Sequence, residues 1–516
     1  MIRHIISVSL LTLLPVAAPA DPAVLYATHC AVCHGDDRLG GLGPALIPES
    51  LRRLKGEKLE AVIAHGRIST QMPAFSDQIS TADIAELATY LHTPLPSIPV
   101  WDAEQIAQTL ERNPDYSAPD APQHDADPLN LFVVVETGDH HVSILDGDRF
   151  EVLARLPTPL AVHGGPKFSP DGRFVFVMSR DGWVQKIDLW SLQEVARLRA
   201  GVNSRNIAMS KDGKHLAVAN YLPHSLTILS TADLSVERIF DVISKDKSTT
   251  SRVSAVYQAP QRNSFILALK DIPEIWEVAT DPNADPVYEG FVHSREKGMI
   301  EGIPSSQGLF ARRRIEVAEP LDDFFFTPDY RFLIGAARDS DRGVVVNLNV
   351  GRETHELPLS GLPHLGSGIS WLYNQRRVMA TPHLREAKLS VIDIENWEVI
   401  RQIDTMGPGF FLRSQENSSY LWADVFFGPN RDVMHVIDKD TLEIVRTLRP
   451  EPGKTVAHVE FDRDGKHALV SLWEQDGAII VYDAKTLEEV KRLPMSKPSG
   501  KYNVFNKITF SDGTSH

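Results

Sequence analysis

"FSPDGRFVFVMSRDGWVQKIDLWSLQEVARL" runs from Phe168 to Leu198. It reads as a turn, an apolar strand, a second turn, a strand ending in Ile-Asp, a short turn and a last alternating strand. Asp171-Gly172 and Asp181-Gly182 mark the tight turns, where glycine supplies the backbone freedom that a hairpin demands. The unit recurs as "MSKDGKHLAVANYLPHSLTILSTADLSVERI" from Met209, "FTPDYRFLIGAARDSDRGVVVNLNVGRETHEL" from Phe326 and "FDRDGKHALVSLWEQDGAIIVYDAKTLEEVKRL" from Phe461. Weaker copies start near Val253, Ile369 and Phe411. A period of about 40 residues with four strands per unit is the signature of propeller blades. "LFVVVETGDHHVSILDGDRFEVLARL" supplies three strands before Phe168, and "KYNVFNKITF" near the C-terminus supplies the fourth that closes the ring. The expectation is an all-β propeller of about eight blades over residues 129–516. The period alone fits a protein-binding propeller equally well.

The residues before the propeller have a different character. "THCAVCHG", Thr28–Gly35, holds the only two cysteines of the 516 residues. Cys30 and Cys33 could pair in a redox motif, but no strand–helix pattern surrounds them; zinc would need two further ligands nearby. The Cys-x-x-Cys-His reading needs only what is present: both thiols add across haem vinyl groups and His34 reaches the iron. Met72, in "STQMPAFSDQIS", is the expected sixth ligand, with Pro73 stiffening its loop; a His/Met pair suits electron transfer. His65 competes for that position, and Met72 also reads as an ordinary core residue. "SLRRLKGEKLEAVIAHG" reads as a helix. Ser80 caps the next, on which Ile84, Leu87, Ala88 and Leu91 share one face. Residues 21–93 resemble a small all-α class I cytochrome c domain carrying covalent haem c.

The opening "MIRHIISVSLLTLLPVAAPADP" has a basic start, a short apolar run and Ala18-Pro19-Ala20, which reads as a cleaved signal peptide over residues 1–20. The run falls short of the roughly 20 residues that span a bilayer, so an exported, periplasmic protein with no membrane span is expected. Residues 94–128 are proline-rich and read as an extended linker, with one short helix from Gln105 through Arg112 capped by Asp102. A formal net charge of -15 argues against nucleic acid or anionic membrane as partner. Arg312-Arg313-Arg314 reads as a solvated loop that could face an acidic partner. Two classes of function stay open at this point: a redox enzyme that uses the c haem as its electron port, or a binding module that carries it as a sensor or tether.

The order of signal, Cys-x-x-Cys-His domain, proline-rich linker and propeller resembles the cytochrome cd1 nitrite reductase family, whose eight-bladed propeller holds haem d1 over its axis. The specific stretches are "LAVHGGPKFSPDGRFVFVMSRDGWVQKIDLW", "SRNIAMSKDGK", "LPHLGSG" and "KYNVFN". The resemblance implies that His163 is the proximal ligand of the d1 iron and that Arg205 pairs with a macrocycle carboxylate, for which Lys270 is a second candidate. Nitrite reductases of the family keep two distal histidines. One matches His364; the other falls in "AEPLDDFFFTP", which has Asp322 and Asp323 and no histidine.

That departure points to the branch that dehydrogenates dihydro-haem d1, oxidising one propionate side chain to an acrylate. On that branch His364 is the distal iron ligand. His458, in "TVAHVEF", and Tyr502, in "GKYNVFN", match its functional positions; imidazole suits a proton acceptor, and a phenol can orient the side chain or relay the proton. His458 also reads as a buried core histidine, and Tyr502 as an ordinary closing-strand aromatic. His383 is a further distal candidate, more in keeping with a structural role. The resemblance implies dihydro-haem d1 as substrate and haem d1 as product. It also implies encounters with cytochrome cd1 nitrite reductase and a periplasmic electron acceptor. Nitrite reduction, or mere carriage of haem d1, is the competing reading.

Overall fold

The computed structural model describes residues 20–67, 72–288, 305–338, 340–510 and 512–513. The signal-peptide reading of residues 1–20 lies almost wholly outside them. Eight antiparallel sheets of four strands each, one with a fifth strand added, form the eight blades of a propeller. The blades form where turn pairs bracket apolar runs: His215–Leu222 and Ser264–Leu269 are buried at every position, because each sheet packs neighbouring blades on both faces. Trp276, Phe265 and Val256 fill the layer against the preceding blade, and Trp422, Phe461 and Tyr482 fill another. Each fully buried side chain of this kind contributes about 1.5–3 kcal/mol.

The ring closes as the repeats imply. Pro498–Asn503 lies innermost in the sheet that continues through Leu131–Glu136, His141–Asp146 and Glu151–Pro157, with Val133 opposite Tyr502 and Val134 opposite Lys501. Only that part of the terminal segment is strand. Val504–Thr509 turns into a helix capped by the Asn503 side chain, which accepts from Asn506 N at 3.2 Å.

Three local expectations need correction. "SLRRLKGEKLEAVIAHG" is two helices, Pro48–Leu51 and Glu57–His65, broken at Gly56, whose φ of +52° suits a glycine and ends any continuous helix there. In the linker, the helix is Ala103–Gln108; Asp102 caps it, and Glu111–Arg112 instead pairs with the outer edge of Gln193–Arg199. Arg312-Arg313-Arg314 is not a solvated loop. It lies in the strand Arg312–Glu316, where Arg312 stacks 4.4 Å over Trp276 and Arg314 meets Glu274 at 2.7 Å.

The helical domain packs Tyr26, Leu59, Ile63, Ile84, Leu87 and Leu91 into one small core. It sits on one end of the propeller. Leu39, Ala45 and Ile47 bury against Val202 and Leu222, and the Asn203 amide donates to Gly43 O at 3.4 Å. Arg53 donates to Lys270 O at 2.9 Å. No helix among the described residues is long and apolar enough to cross a membrane.

Closure by the terminal strand generates a test. A chain truncated before Pro498 leaves the inner edge of Leu131–Glu136 unpaired. It is expected to lose a single cooperative thermal transition by circular dichroism. Retention of the full-length melting temperature would show that the ring does not depend on this strand.

Candidate functional site

In an antiparallel blade, the start of the inner strand and the end of the second strand share one end of the ring. The loops there deliver the polar side chains that the sequence singles out. His163 precedes the inner strand Lys167–Phe168, and Arg205 lies in Asn203–Met209. Lys270 follows Ser264–Leu269, and His364 precedes Ile369–Tyr373. His458 lies in Val456–Phe461 and Tyr502 in Pro498–Asn503. That order sets His163, Lys270 and His364 at the end that carries the helical domain, whereas His458 and Tyr502 lie further along their inner strands, the Tyr502 ring meeting Gly165.

Three histidines share one device. The His163 Nδ1 faces Arg205 O at 2.8 Å, the His364 Nδ1 faces Phe410 O at 2.6 Å, and the His34 Nδ1 faces Pro44 O at 2.8 Å. A carbonyl only accepts, so each Nδ1 carries the proton and each Nε2 keeps its lone pair, the arrangement of a metal-ligating imidazole. Burial lowers the pKa of His163 well below the usual range, with Arg180 and Arg205 adding to it; burial also lowers His364. Among the described residues no group of three or more His, Cys, Asp or Glu side chains could hold a bare metal ion. Paired histidines suit iron that arrives in a macrocycle.

The donor set of the helical domain fits a covalent haem. Cys30 caps Pro22–His29 and Cys33 lies one turn on, both as half-buried free thiols. His34 is buried against Gly43, where a Cβ would lie 2.5 Å from the ring. Met72 is half-buried, its carbonyl accepting from Arg67 N at 3.2 Å, whereas His65 is exposed at the end of its helix.

Cations line the axis. Arg205 Nη1 lies 2.9 Å from His163 Nε2, and Arg180 Nη2 lies 3.0 Å from the same atom. Lys270 donates to Asp322, which Arg338 also meets at 2.5 Å. Burial pushes the Asp322 carboxyl up, but Lys270 and Arg338 outweigh it and hold it well below the usual carboxylate range. Arg205 and Lys270 must exchange these partners to reach a macrocycle carboxylate. Asp323 accepts from the Tyr257 hydroxyl at 2.9 Å and from Gly366 N at 2.6 Å, and lies 3.8 Å from His364 Nε2. Lys270, Arg205 and Arg180 outweigh burial at Tyr221 and bring its phenol down to about 8. Arg180, Tyr221 and Arg338 were not foreseen. Nothing in the local pattern separates them from solvated loop residues.

The opposite side of the axis carries His458. It is fully buried, and its Nε2 has no hydrogen-bond partner. It is therefore not a satisfied core histidine. Its φ of +49° sits at a register shift between Ala457 and Val459, a bulge that re-aims the side chain. Phe411 packs 4.7 Å and Tyr502 5.3 Å from its ring. Asp424 holds this wall: it accepts from Phe410 N at 2.7 Å, Phe411 N at 2.9 Å and His458 N at 3.2 Å. Burial raises Asp424 to about 6 despite those bonds. Tyr502 lies against Gly165, two residues beyond His163, and burial pushes its phenol up to about 12. Lys167 is drawn down to about 7 by burial and by Lys507 and Arg413.

His383 is structural. Its Nδ1 faces Ser360 O at 2.5 Å and its Nε2 faces Ser390 Oγ at 2.8 Å, so neither nitrogen is left for chemistry. Burial lowers it from 6.5 to about 4. A group whose folded pKa is depressed stabilises the fold above its unfolded pKa and loses that contribution as pH falls. Thermal stability is accordingly expected to fall between pH 6.5 and 4. His383→Asn should flatten that slope, and His224 and His435, also lowered to about 4, account for part of the remainder. An unchanged slope in the variant would place the titration elsewhere.

Comparison with known proteins follows the same lines. Residues 126–294 and 303–507 match the model of the cytochrome D1 heme domain, and residues 17–91 match that of cytochrome c oxidase, cbb3-type, subunit III. A dihydro-heme d1 dehydrogenase of Pseudomonas aeruginosa (strain PAO1) is 51% identical over 508 residues, covering 98% of each chain. A nitrite reductase of Stutzerimonas stutzeri is 26% identical over 540 residues, covering 94% of this chain and 92% of its own. The solved structure of dihydro-heme d1 dehydrogenase NirN in complex with DHE superposes with a TM-score of 0.76 at 50% identity, covering 95% of this chain and 100% of that chain.

Proposed function

The chain belongs to the cytochrome D1 heme domain family, and from that premise we propose that it is a dihydro-haem d1 dehydrogenase, taking two hydrogens from a propionate side chain of dihydro-haem d1 to leave the acrylate of haem d1. One observation carries the assignment of roles: an unpartnered, fully buried His458 Nε2 in a propeller that also holds two histidines whose Nδ1 atoms face backbone carbonyls. His163 and His364 would ligate the macrocycle iron. Arg205 and Lys270 pair with its carboxylates, exchanging His163 and Asp322 for them.

Cys30 and Cys33 would join haem c, with His34 and Met72 holding it, and the group would supply a one-electron acceptor. The contact of Asn203 with Gly43 links the loop beside His34 to the strand that carries Arg205. His458 takes a proton from the propionate, and Tyr502 orients the side chain from its place against Gly165. Dehydrogenation releases two protons and two electrons, so a base and a one-electron sink are both needed. An imidazole that is neutral in its resting form supplies the first.

The proposed setting is the periplasm, on the strength of the leader-like residues 1–20. There the chain meets cytochrome cd1 nitrite reductase, to which the product passes, and a periplasmic electron acceptor. The cytochrome segment spans residues 21–93 and the linker 94–128.

Two measurements check these roles. Met72→Ala should abolish the weak near-infrared sulfur-to-iron band of the oxidised protein and lower its potential; a band that survives, and vanishes with His65→Ala, moves the ligand. His458→Ala should still bind dihydro-haem d1 with a near-normal ligand spectrum but convert it roughly 10²–10⁴-fold more slowly, the range for general acid–base catalysis. Mass analysis reads conversion as a loss of two hydrogens. Wild-type conversion by His458→Ala would overturn the assignment, and Tyr502→Phe is expected to show the milder loss.

A further inference from the structure

Three of the four axial or haem-facing histidines place Nδ1 on a backbone carbonyl, which can receive a hydrogen bond but no proton. His458 differs. Its Nδ1 lies 3.5 Å from Lys501 Nζ. Lys501 is itself fully buried, donating to His458 O at 2.5 Å and to Ser471 Oγ at 2.8 Å. It is among the largest fully buried side chains of the molecule, an environment in which a lysine is rare unless paired. Register fixes the position: Lys501 stands opposite Val134 on the closing strand and points across it to Ser471 of the neighbouring blade.

We propose that Lys501 is the second member of a proton relay, accepting the Nδ1 proton of His458 as the Nε2 of the same ring takes a proton from the substrate's propionate carbon. The proposal rests on His458 being the proton acceptor. The C–H bond breaks and its proton forms the Nε2–H bond. The Nδ1–H bond breaks and its proton converts the Lys501 amine to an ammonium. The electron pair left on carbon becomes the new C=C bond as the second C–H bond breaks, its proton passing to water and its electron pair remaining to be taken up. The substrate's two electrons pass to the one-electron acceptors that the dehydrogenase activity already uses. His458 starts and ends neutral, with its tautomer exchanged.

The physical case is that the relay never creates an imidazolium in this pocket. Burial disfavours that cation first, and Lys501, Arg413 and Lys507 add to it. Burial also lowers Lys501 well below the usual amine range, so its neutral form is within reach, while Glu460 and Asp424 favour the ammonium that the step produces. The charged and titratable groups facing the pair are Arg413, Lys507, Glu460 and Asp424, together with Tyr502, 5.3 Å from the His458 ring. A separation of 3.5 Å is long for a hydrogen bond, and such contacts commonly shorten when substrate is bound.

The test uses the full-length protein with dihydro-haem d1. Lys501→Gln keeps an N–H donor but cannot take up a proton, and Lys501→Met removes the polar group. Both are expected to bind the macrocycle with the wild-type spectrum and KM, with kcat lower by about 10²-fold or more. Single-turnover rates in mixed H2O and D2O should vary in a curved manner for the wild type, reporting two protons in flight, and linearly for Lys501→Gln. Wild-type kcat in both variants overturns the relay, as does a linear or absent isotope dependence in the wild-type protein. If neither variant folds, the wild-type curve alone decides. Slow conversion by His458→Ala with fast conversion by Lys501→Gln removes the relay and leaves the base; fast conversion by His458→Ala removes both.

Discussion

The pairing of Pro498–Asn503 with Leu131–Glu136 does more than close the ring. It carries Lys501 and Tyr502 from the end of the chain to the axis, against residues that come early in the propeller. Tyr502 then meets Gly165 beside His163, and Lys501 reaches into the neighbouring blade to His458 and Ser471. Asn503, at the end of the same strand, donates to Asn130 Oδ1 at 3.0 Å, which ties the closure to the entry of the propeller. Folding of the ring and assembly of the reactive wall are therefore one event. A propeller closed by a strand from elsewhere would have His163 and His364 without the wall of Lys501 and Tyr502.

The axis concentrates buried cations. Lys167, Arg205, Arg413, Lys501 and Lys507 converge there, with Asp424 and Glu460 as the nearby carboxylates. Uncompensated buried charges cost several kcal/mol each. The chain lowers that cost in two ways: it draws Lys167 to about 7 and Lys507 to about 8, so that part of the charge is shed, and it sets Glu460 3.5 Å from Lys507. A substrate with side-chain carboxylates offsets the rest. The cationic axis belongs to a chain with a formal net charge of -15, so the anionic surface and the cationic interior are sharply separated. Selectivity for a polycarboxylate at the axis does not require a basic protein.

Much of this was legible in the residues. Turn glycines such as Gly172 and Gly213, with φ of +73° and +72°, are chemically marked, and the strands between them alternate as a half-buried surface must. The blades and the closure followed from that. The cysteine pair with His34 is equally marked, because thioether chemistry fixes the spacing. Gly56 was less visible: one glycine within a helical pattern did not announce a break. The arginines 312–314 misled because a run of like charges resembles a solvated face, and only the register opposite Trp276, Glu277 and Val278 showed that they lace a sheet. Arg180, Tyr221 and Arg338 carried no signal, since each sits at the end of a second strand where any polar residue is acceptable. What brings them to the axis is the antiparallel order of the blade, which no local window contains.

The exchange of a distal histidine for carboxylates bears on which direction the chemistry runs. Reduction of nitrite consumes protons, so its distal wall must hold groups that can give them. Asp322 cannot. Lys270 and Arg338 outweigh its burial and keep it ionised, and without a macrocycle its oxygens meet those two cations. Asp323 is committed to Tyr257 and Gly366. Dehydrogenation releases protons, so it needs instead an acceptor at the substrate's edge, and the unpartnered nitrogen of His458 stands on the other side of the axis. The two halves of the basin thus divide the work. The side with His364 and Asp323 holds and orients, with its hydrogen bonds already made. The side with His458 and Tyr502 keeps one buried nitrogen unsatisfied at a strained position, which is where the proposed function sets its proton acceptor.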